Sequence, residues 1–247
     1  MKIKKNMIET FIKKLYLDGL NYKAIFDFKE DGLSIQLKND NSTIAMYLFL
    51  DKKHFKDYEA IGSLVVGNID KLVFSLNMMK SEWIEIKHIE NMNNIEYLLF
   101  QDSNERKYYK MLSMDISAEK FEILEKMNNI QFDEELEFET DIFDEAEQYK
   151  NKLNETSYII NIENDILKIS VGSRNSDKIE LKSTLSKKLE NKYRMVLGVY
   201  FSKVIGVLKS KSILKMSVDT NIPIIIENND DDVYVKYVVS QEDDTED

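Results

Sequence analysis

The chain has no cysteine, one proline, one tryptophan, two histidines and seven glycines in 247 residues. Without cysteine there is no disulfide, no thiolate metal site and no cysteine nucleophile. The two histidines, His54 and His88, are isolated and do not form a metal-ligand spacing, and no glycine-rich phosphate loop is present. A lone Pro223 leaves no proline-rich linker to mark a domain boundary. No apolar run approaches the roughly 20 residues that a membrane helix needs. The basic start, Met1-Lys-Ile-Lys-Lys5, leads into an amphipathic stretch rather than the apolar core of a signal peptide. These absences predict an intracellular protein with no membrane association, no cofactor and no metal.

What is present is charge and strand-forming sequence. Charged residues make up 32% of the chain, and the formal net charge is −11. Such a balance argues against holding DNA through a broadly basic surface. Any contact with nucleic acid has to be local, weak or enforced by topology. A hydrophobic share of 43% is enough for one large domain or two of ordinary size.

An internal repeat favours two. Phe28-Lys-Glu-Asp-Gly-Leu-Ser-Ile35 resembles Ile162-Glu-Asn-Asp-Ile-Leu-Lys-Ile169, each an acidic turn followed by alternating apolar positions. Each copy then passes a polar turn (Ser42, Ser176) into a strand with Ile44 or Ile179. Leu64-Val-Val-Gly67 precedes a helical pattern, as Met195-Val-Leu-Gly198 does, and each helix leads to a further strand, Trp83–Lys87 or Ile213–Val218. Helices are predicted over Asn6–Leu17, Asp70–Met79, Asp141–Leu153 and Tyr200–Leu208. In the first, Ile8, Phe11, Ile12 and Leu15 make one apolar face. Strands are predicted over Tyr47–Leu50, Ile95–Phe100 and Val233–Val239 among others. The fold class is α+β, with antiparallel sheets and helices on one face. Trp83 is expected in the core, and Asp230-Asp-Asp232 in a hairpin turn.

Several stretches, in order along nearly the whole chain, resemble the proliferating cell nuclear antigen (PCNA) type of DNA sliding clamp. They are Asp31-Gly-Leu-Ser-Ile-Gln36 with Asn39-Asp-Asn-Ser-Thr-Ile-Ala-Met46, then Phe55-x-x-Tyr58 and Gly67-Asn-Ile-Asp-Lys-Leu72. Tyr109-Lys-Met-Leu-Ser-Met-Asp-Ile116 is similar to the family's strand entering its interdomain connecting loop. Ser217-Val-Asp-Thr-Asn-Ile-Pro223 and Tyr234-Val-Lys-Tyr237 are similar to its C-terminal strands. The resemblance implies a clamp domain over 1–116, a connecting loop over 117–131, a second clamp domain over 132–240 and an acidic, disordered tail over 241–247. It also implies three subunits per ring, as a homotrimer or heterotrimer, with helices lining the hole and sheets outside. Where the family ends its last strand in Tyr-Leu-Ala-Pro, this chain has Val238-Val-Ser-Gln241.

The resemblance further implies roles for individual residues. Lys13, Lys14, Lys71, Lys80, Lys150, Lys152, Lys203, Lys209 and Lys211 would face double-stranded DNA as mobile point charges carrying no sequence information. Ile44, Met46, Phe121, Ile123, Pro223 and Val238 would form an apolar pocket for partner peptides of the PIP pattern, Gln-x-x-aliphatic-x-x-aromatic-aromatic. Two edge strands, carrying Tyr108, Tyr109, Lys110 and Leu112 and, in the other half, Lys178, Ile179 and Leu181, would pair between subunits. The implied partners are a clamp loader, a DNA polymerase and other PIP-motif proteins, and the implied role is non-enzymatic. Two other readings stand beside it. One is a specialised subunit of a heterotrimeric or checkpoint-type clamp. The other is a metal-dependent enzyme using Asp141, Asp144, Glu145 and Glu147, although carboxylates there also suit a helix N-terminus.

Overall fold

A computed structural model of the chain describes residues 1–17, 23–39, 41–90, 96–104, 106–114, 123–132, 134–172, 177–208, 213–218, 223–230 and 232–242. The architecture is α+β. Two compact units account for it: Met1–Asn39 with Ala45–Lys126 and Asp231–Val235, and Asp40–Ile44 with Met127–Asp230 and Lys236–Asp247.

The first unit opens with strand β1 (Lys2–Lys4) and helix α1 (Lys5–Tyr16). Ile8, Phe11, Ile12 and Leu15 of α1 are fully buried, and the helix stops at Leu17, which takes a left-handed conformation and donates its N–H to Lys13. Strands β2 (Ala24–Lys29), β3 (Gly32–Lys38) and β4 (Ile44–Asp51) form an antiparallel meander. β4 alternates strictly, with Ile44, Met46, Leu48 and Leu50 inward. After a 3-10 turn (Lys52–His54) come β5 (Phe55–Lys56) and β6 (Gly62–Val66), the latter pairing with β2. Helix α2 (Ile69–Met78) follows. Lys107 Nζ donates to the carbonyl of Met78, at the helix's last turn, and Lys5 Nζ to that of Met79 just beyond it. Strands β7 (Trp83–Glu90), β8 (Glu96–Asp102) and β9 (Tyr108–Met114) complete the unit in the order β9-β8-β7-β1-β5. At the turn after α2, Asp102 is buried and accepts hydrogen bonds from the Ser81 hydroxyl and from the N–H groups of Asn104 and Lys80.

A short helix, α3 (Ile123–Asn128), precedes the second unit. There β10 (Glu134–Glu139) and α4 (Asp141–Leu153) lead into β11 (Tyr158–Glu163), β12 (Ile166–Val171), β13 (Ile179–Thr184) and β14 (Tyr193–Leu197). Helix α5 (Val199–Val207) and strands β15 (Ile213–Val218), β16 (Ile224–Asp230) and β17 (Val233–Val239) follow. The pairing pattern of the first unit recurs. β11 pairs with β12 and β14, and β12 with β13, as β2 pairs with β3 and β6, and β3 with β4. β10 pairs with β15 as β1 does with β7, and β15 with β16 as β7 does with β8. In each unit two helices pack side by side, α1 on α2 and α4 on α5. Phe143 of α4, Phe201 of α5 and Tyr158 of β11 meet edge to face, with Phe201 5.1 Å from Phe143 and 5.7 Å from Tyr158.

Lys236 of β17 is buried against Glu227 of β16 (2.7 Å) and Asn128 at the end of α3 (3.0 Å), which fixes that short helix. Trp83 is half-buried rather than a core residue. Its ring lies 3.8 Å under the Lys56 ammonium, so its indole serves as a covered surface plate.

Candidate functional site

Among the described residues, the strands that leave backbone groups open include one in each unit, β9 and β13. β9 pairs with β8 along Tyr108–Leu112, but on its other side, among the described residues, only Ser113 and Met114 meet β6. β13 pairs only with β12 among the described residues. An open edge of this kind invites another strand.

The two edges carry different side chains. On β9, Tyr108 is 70% exposed and Leu112 54% exposed, with Lys110 between them lying over the Tyr97 ring at 3.8 Å. Tyr109 faces the other way, and burial, together with the nearby Asp70 carboxylate of α2, pushes its phenol above the ordinary value. Helix α2, which packs beside β9, adds Phe74 (67% exposed) and Met78 (51%) on its outer face. Four large apolar side chains thus stand in the open on adjacent elements. Phe74 and Met78 were absent from the sequence-predicted interface. The signal for them was there, since α2 is apolar on both faces, with Ile69, Leu72 and Leu76 buried on the other. On β13, Ile179 and Leu181 are half-buried and Lys178 is exposed. Glu180 bonds Lys168 (2.7 Å) and Lys178 (3.0 Å), and those two ammonium groups hold its carboxyl down at about 2.

The nine lysines predicted to face DNA separate into groups. Lys13, Lys71, Lys80 and Lys152 are exposed, and Lys203 is half-buried. Lys209 and Lys211 lie outside the described residues. Two expectations need correction. Lys14 is only 2% exposed and packs with the apolar face of α1, so it presents no mobile charge. Lys150 is 6% exposed and closes a polar ring inside the second unit. Its ammonium lies 2.6 Å from Ser202 Oγ and 3.1 Å from Glu147, while Tyr158 donates to Glu147 and receives a bond from Ser202 (3.2 Å). A cation so enclosed is structural.

The six residues predicted to line a peptide pocket are spread likewise. Ile44 and Met46 are fully buried on the inward face of β4, which corrects their assignment, because neither presents a surface that a docking peptide could reach. Pro223 and Val238 are half-buried. Phe121, and the side chain of Ile123, lie outside what is described.

The acidic turn of α4 holds no metal-like cluster, and among the described residues no group of three or more acidic or histidine side chains is arranged to bind an ion. Glu147 is already engaged with Lys150 and Tyr158. No helix of the described residues is long and apolar enough to cross a membrane.

No family model and no curated protein matches the sequence. The structure does match. An A. fulgidus PCNA, solved with the C-terminal region of FEN-1 bound, superposes at a TM-score of 0.78 over 99% of this chain and 98% of that one, with 17% identity. The chain has the fold of a PCNA-type sliding clamp. The PCNA of Thermococcus kodakaraensis gives 0.76 at 13% identity over 98% and 99% of the two chains. The PCNA2–PCNA3 complex of Sulfolobus tokodaii gives 0.72 at 14% identity over 98% of each. The clamp fold therefore accounts for nearly the whole chain, and the repeated pairing pattern corresponds to its two similar domains.

Proposed function

We propose that the chain is one subunit of a ring-shaped sliding clamp, a processivity factor that encircles duplex DNA and tethers a DNA polymerase and other replication or repair proteins. The observation that carries this reading is the pair of open strand edges, one in each copy of a duplicated clamp unit. Head-to-tail pairing of β9 with β13 of the next subunit is a heterologous contact, and it closes when repeated three times. Tyr108, Tyr109, Lys110, Leu112, Phe74 and Met78 would meet Lys178, Ile179 and Leu181 of the neighbour. Closure explains how a protein of net charge −11 stays on a polyanion: topology replaces contact energy, and Lys13, Lys71, Lys80, Lys152 and Lys203 need only cushion the phosphates. A clamp loader would open the ring, and PIP-motif proteins would dock near Pro223 and Val238. The chain itself performs no chemistry in this role. The boundaries 1–116, 117–131 and 132–240 follow the same reading.

A specialised subunit of a mixed ring is the second reading, and the acidic start of α4 (Asp141, Asp144, Glu145, Glu147) favours it, because a ring of unlike subunits need not be lined evenly. Extension of a singly primed circular template by the cognate polymerase and loader tests the proposal. Products several-fold longer with the chain than without it are expected. Equal lengths, both alone and with sister clamp chains, would remove it.

A further inference from the structure

A buried cation stands beside one of the proposed docking residues. Lys236 and Val238 alternate along β17 with Tyr237 and Val239, whose side chains are buried on the inner face. Lys236 and Val238 therefore share the outer face, about 7 Å apart. That face is covered at Lys236, which is 7% exposed. Its ammonium lies 2.7 Å from Glu227 of β16, and Ile225, on the same side of β16, is buried as well. The end of α3 reaches the same spot. Asn128 Oδ1 accepts a hydrogen bond from the same ammonium at 3.0 Å, and Met127 beside it is buried.

Stability alone does not call for a lysine there. A buried ion pair gives up the hydration of two charges, and an apolar side chain of similar volume commonly serves a fold as well or better. What the ammonium adds is direction. It holds one acceptor on the sheet, Glu227, and one on the helix, Asn128, so the end of α3 has a single place against β16 and β17. Asn128 is exposed and its side chain has no part in the core, so this bond fixes a position rather than filling a space.

We infer that Lys236 is a positioning residue for partner-peptide docking: by holding Asn128 it sets where the end of α3 lies beside Val238. The inference rests on the reading above that PIP-motif peptides dock near Pro223 and Val238. A helix end already fixed next to the docking residues loses less freedom when a peptide settles there. Affinity is then gained without any contact between Lys236 and the peptide. With the ammonium gone, the helix end has to be ordered at the moment of binding, and the peptide binds more weakly.

Fluorescence anisotropy with a labelled peptide, Gln-Ser-Thr-Leu-Glu-Ser-Phe-Phe, and hydrogen exchange test it on the full chain. Lys236→Met, which keeps the apolar stem and removes the ammonium, should raise the peptide's dissociation constant several-fold. Asn128→Ala, at an exposed position, should do the same. The double variant should bind no more weakly than either single one, because both changes remove one bond. In each variant the amides of residues 124–128 should exchange several-fold faster, while those of β11 and β12 keep their natural rates. Natural peptide binding in both single variants would overturn the inference alone. Weaker binding with faster exchange in β11 and β12 as well would make Lys236 a support of the whole unit, which also overturns it. A natural chain that does not take the peptide would remove the docking reading, and the inference with it.

Discussion

Lys150 and Ser202 meet at 2.6 Å inside the second unit, joining α4 to α5 through a buried, charged hydrogen bond. The ring of Glu147, Lys150, Ser202 and Tyr158 satisfies its members mutually, so removing one leaves another buried and unpaired. Lys150→Ala is expected to cost about 3 kcal/mol of stability, measured as a drop in the urea midpoint. Lys150→Met with Glu147→Gln should cost less than the sum of the single changes, because the charges leave together.

At the β9 edge, exposure rather than burial sets the prediction. Leu112→Asp or Phe74→Asp should leave the isolated subunit folded and weaken assembly. Losing one buried apolar side chain from an interface is worth about 1.5–3 kcal/mol, roughly a 10- to 100-fold rise in the dissociation constant. Sedimentation across a concentration series reads it. Ala45→Asp, on the outward face of β4, should leave assembly intact.

The lysines differ in what their removal does. Lys13→Ala and Lys71→Ala should each reduce the slope of log affinity against log salt on short duplexes by about 1 and leave the melting temperature unchanged. Lys14→Ala should do the opposite, lowering stability and leaving the salt slope alone. Filter binding and thermal melting, run on the same three variants, decide between them.

Asp102 gives a pH dependence of definite sign. The Ser81 hydroxyl, with the N–H groups of Asn104 and Lys80 and against the opposing effect of burial, holds its carboxyl below the ordinary 3.8. A folded pKa below the unfolded one means stability that is complete above the unfolded value and is lost as the pH falls through the folded one. The stability difference between the natural chain and Asp102→Asn should therefore shrink from about pH 6 to about pH 3. Ser81→Ala should move the acid limb of the natural chain upward. Urea midpoints at the two pH values check both.

Much of the fold could be read from residue order because strand and helix periods are local. Phe28–Ile35 and Ile162–Ile169 are the β2–β3 and β11–β12 hairpins, and α4 occupies the span its pattern predicted. Helix α3 escaped because six residues are too few to show a period. The misplaced lysines have a geometric origin. Phe143, Ala146 and Lys150 follow one another at three and four residues, so Lys150 shares the buried face of α4. Lys14 lies three residues after Phe11 and beside Leu15. A charged side chain is expected at the surface by its type, but here the helical period places it inside. Ile44 and Met46 went wrong differently: the alternation in β4 was visible, but which of its two faces meets the core depends on strands distant in sequence.

The central claim is that these subunits join edge to edge, and light scattering of the purified chain tests it most directly. The account predicts about 87 kDa, three times the 29.1 kDa of one chain, either alone or once sister clamp chains of similar mass are added. A species that remains at 29.1 kDa under both conditions would contradict it.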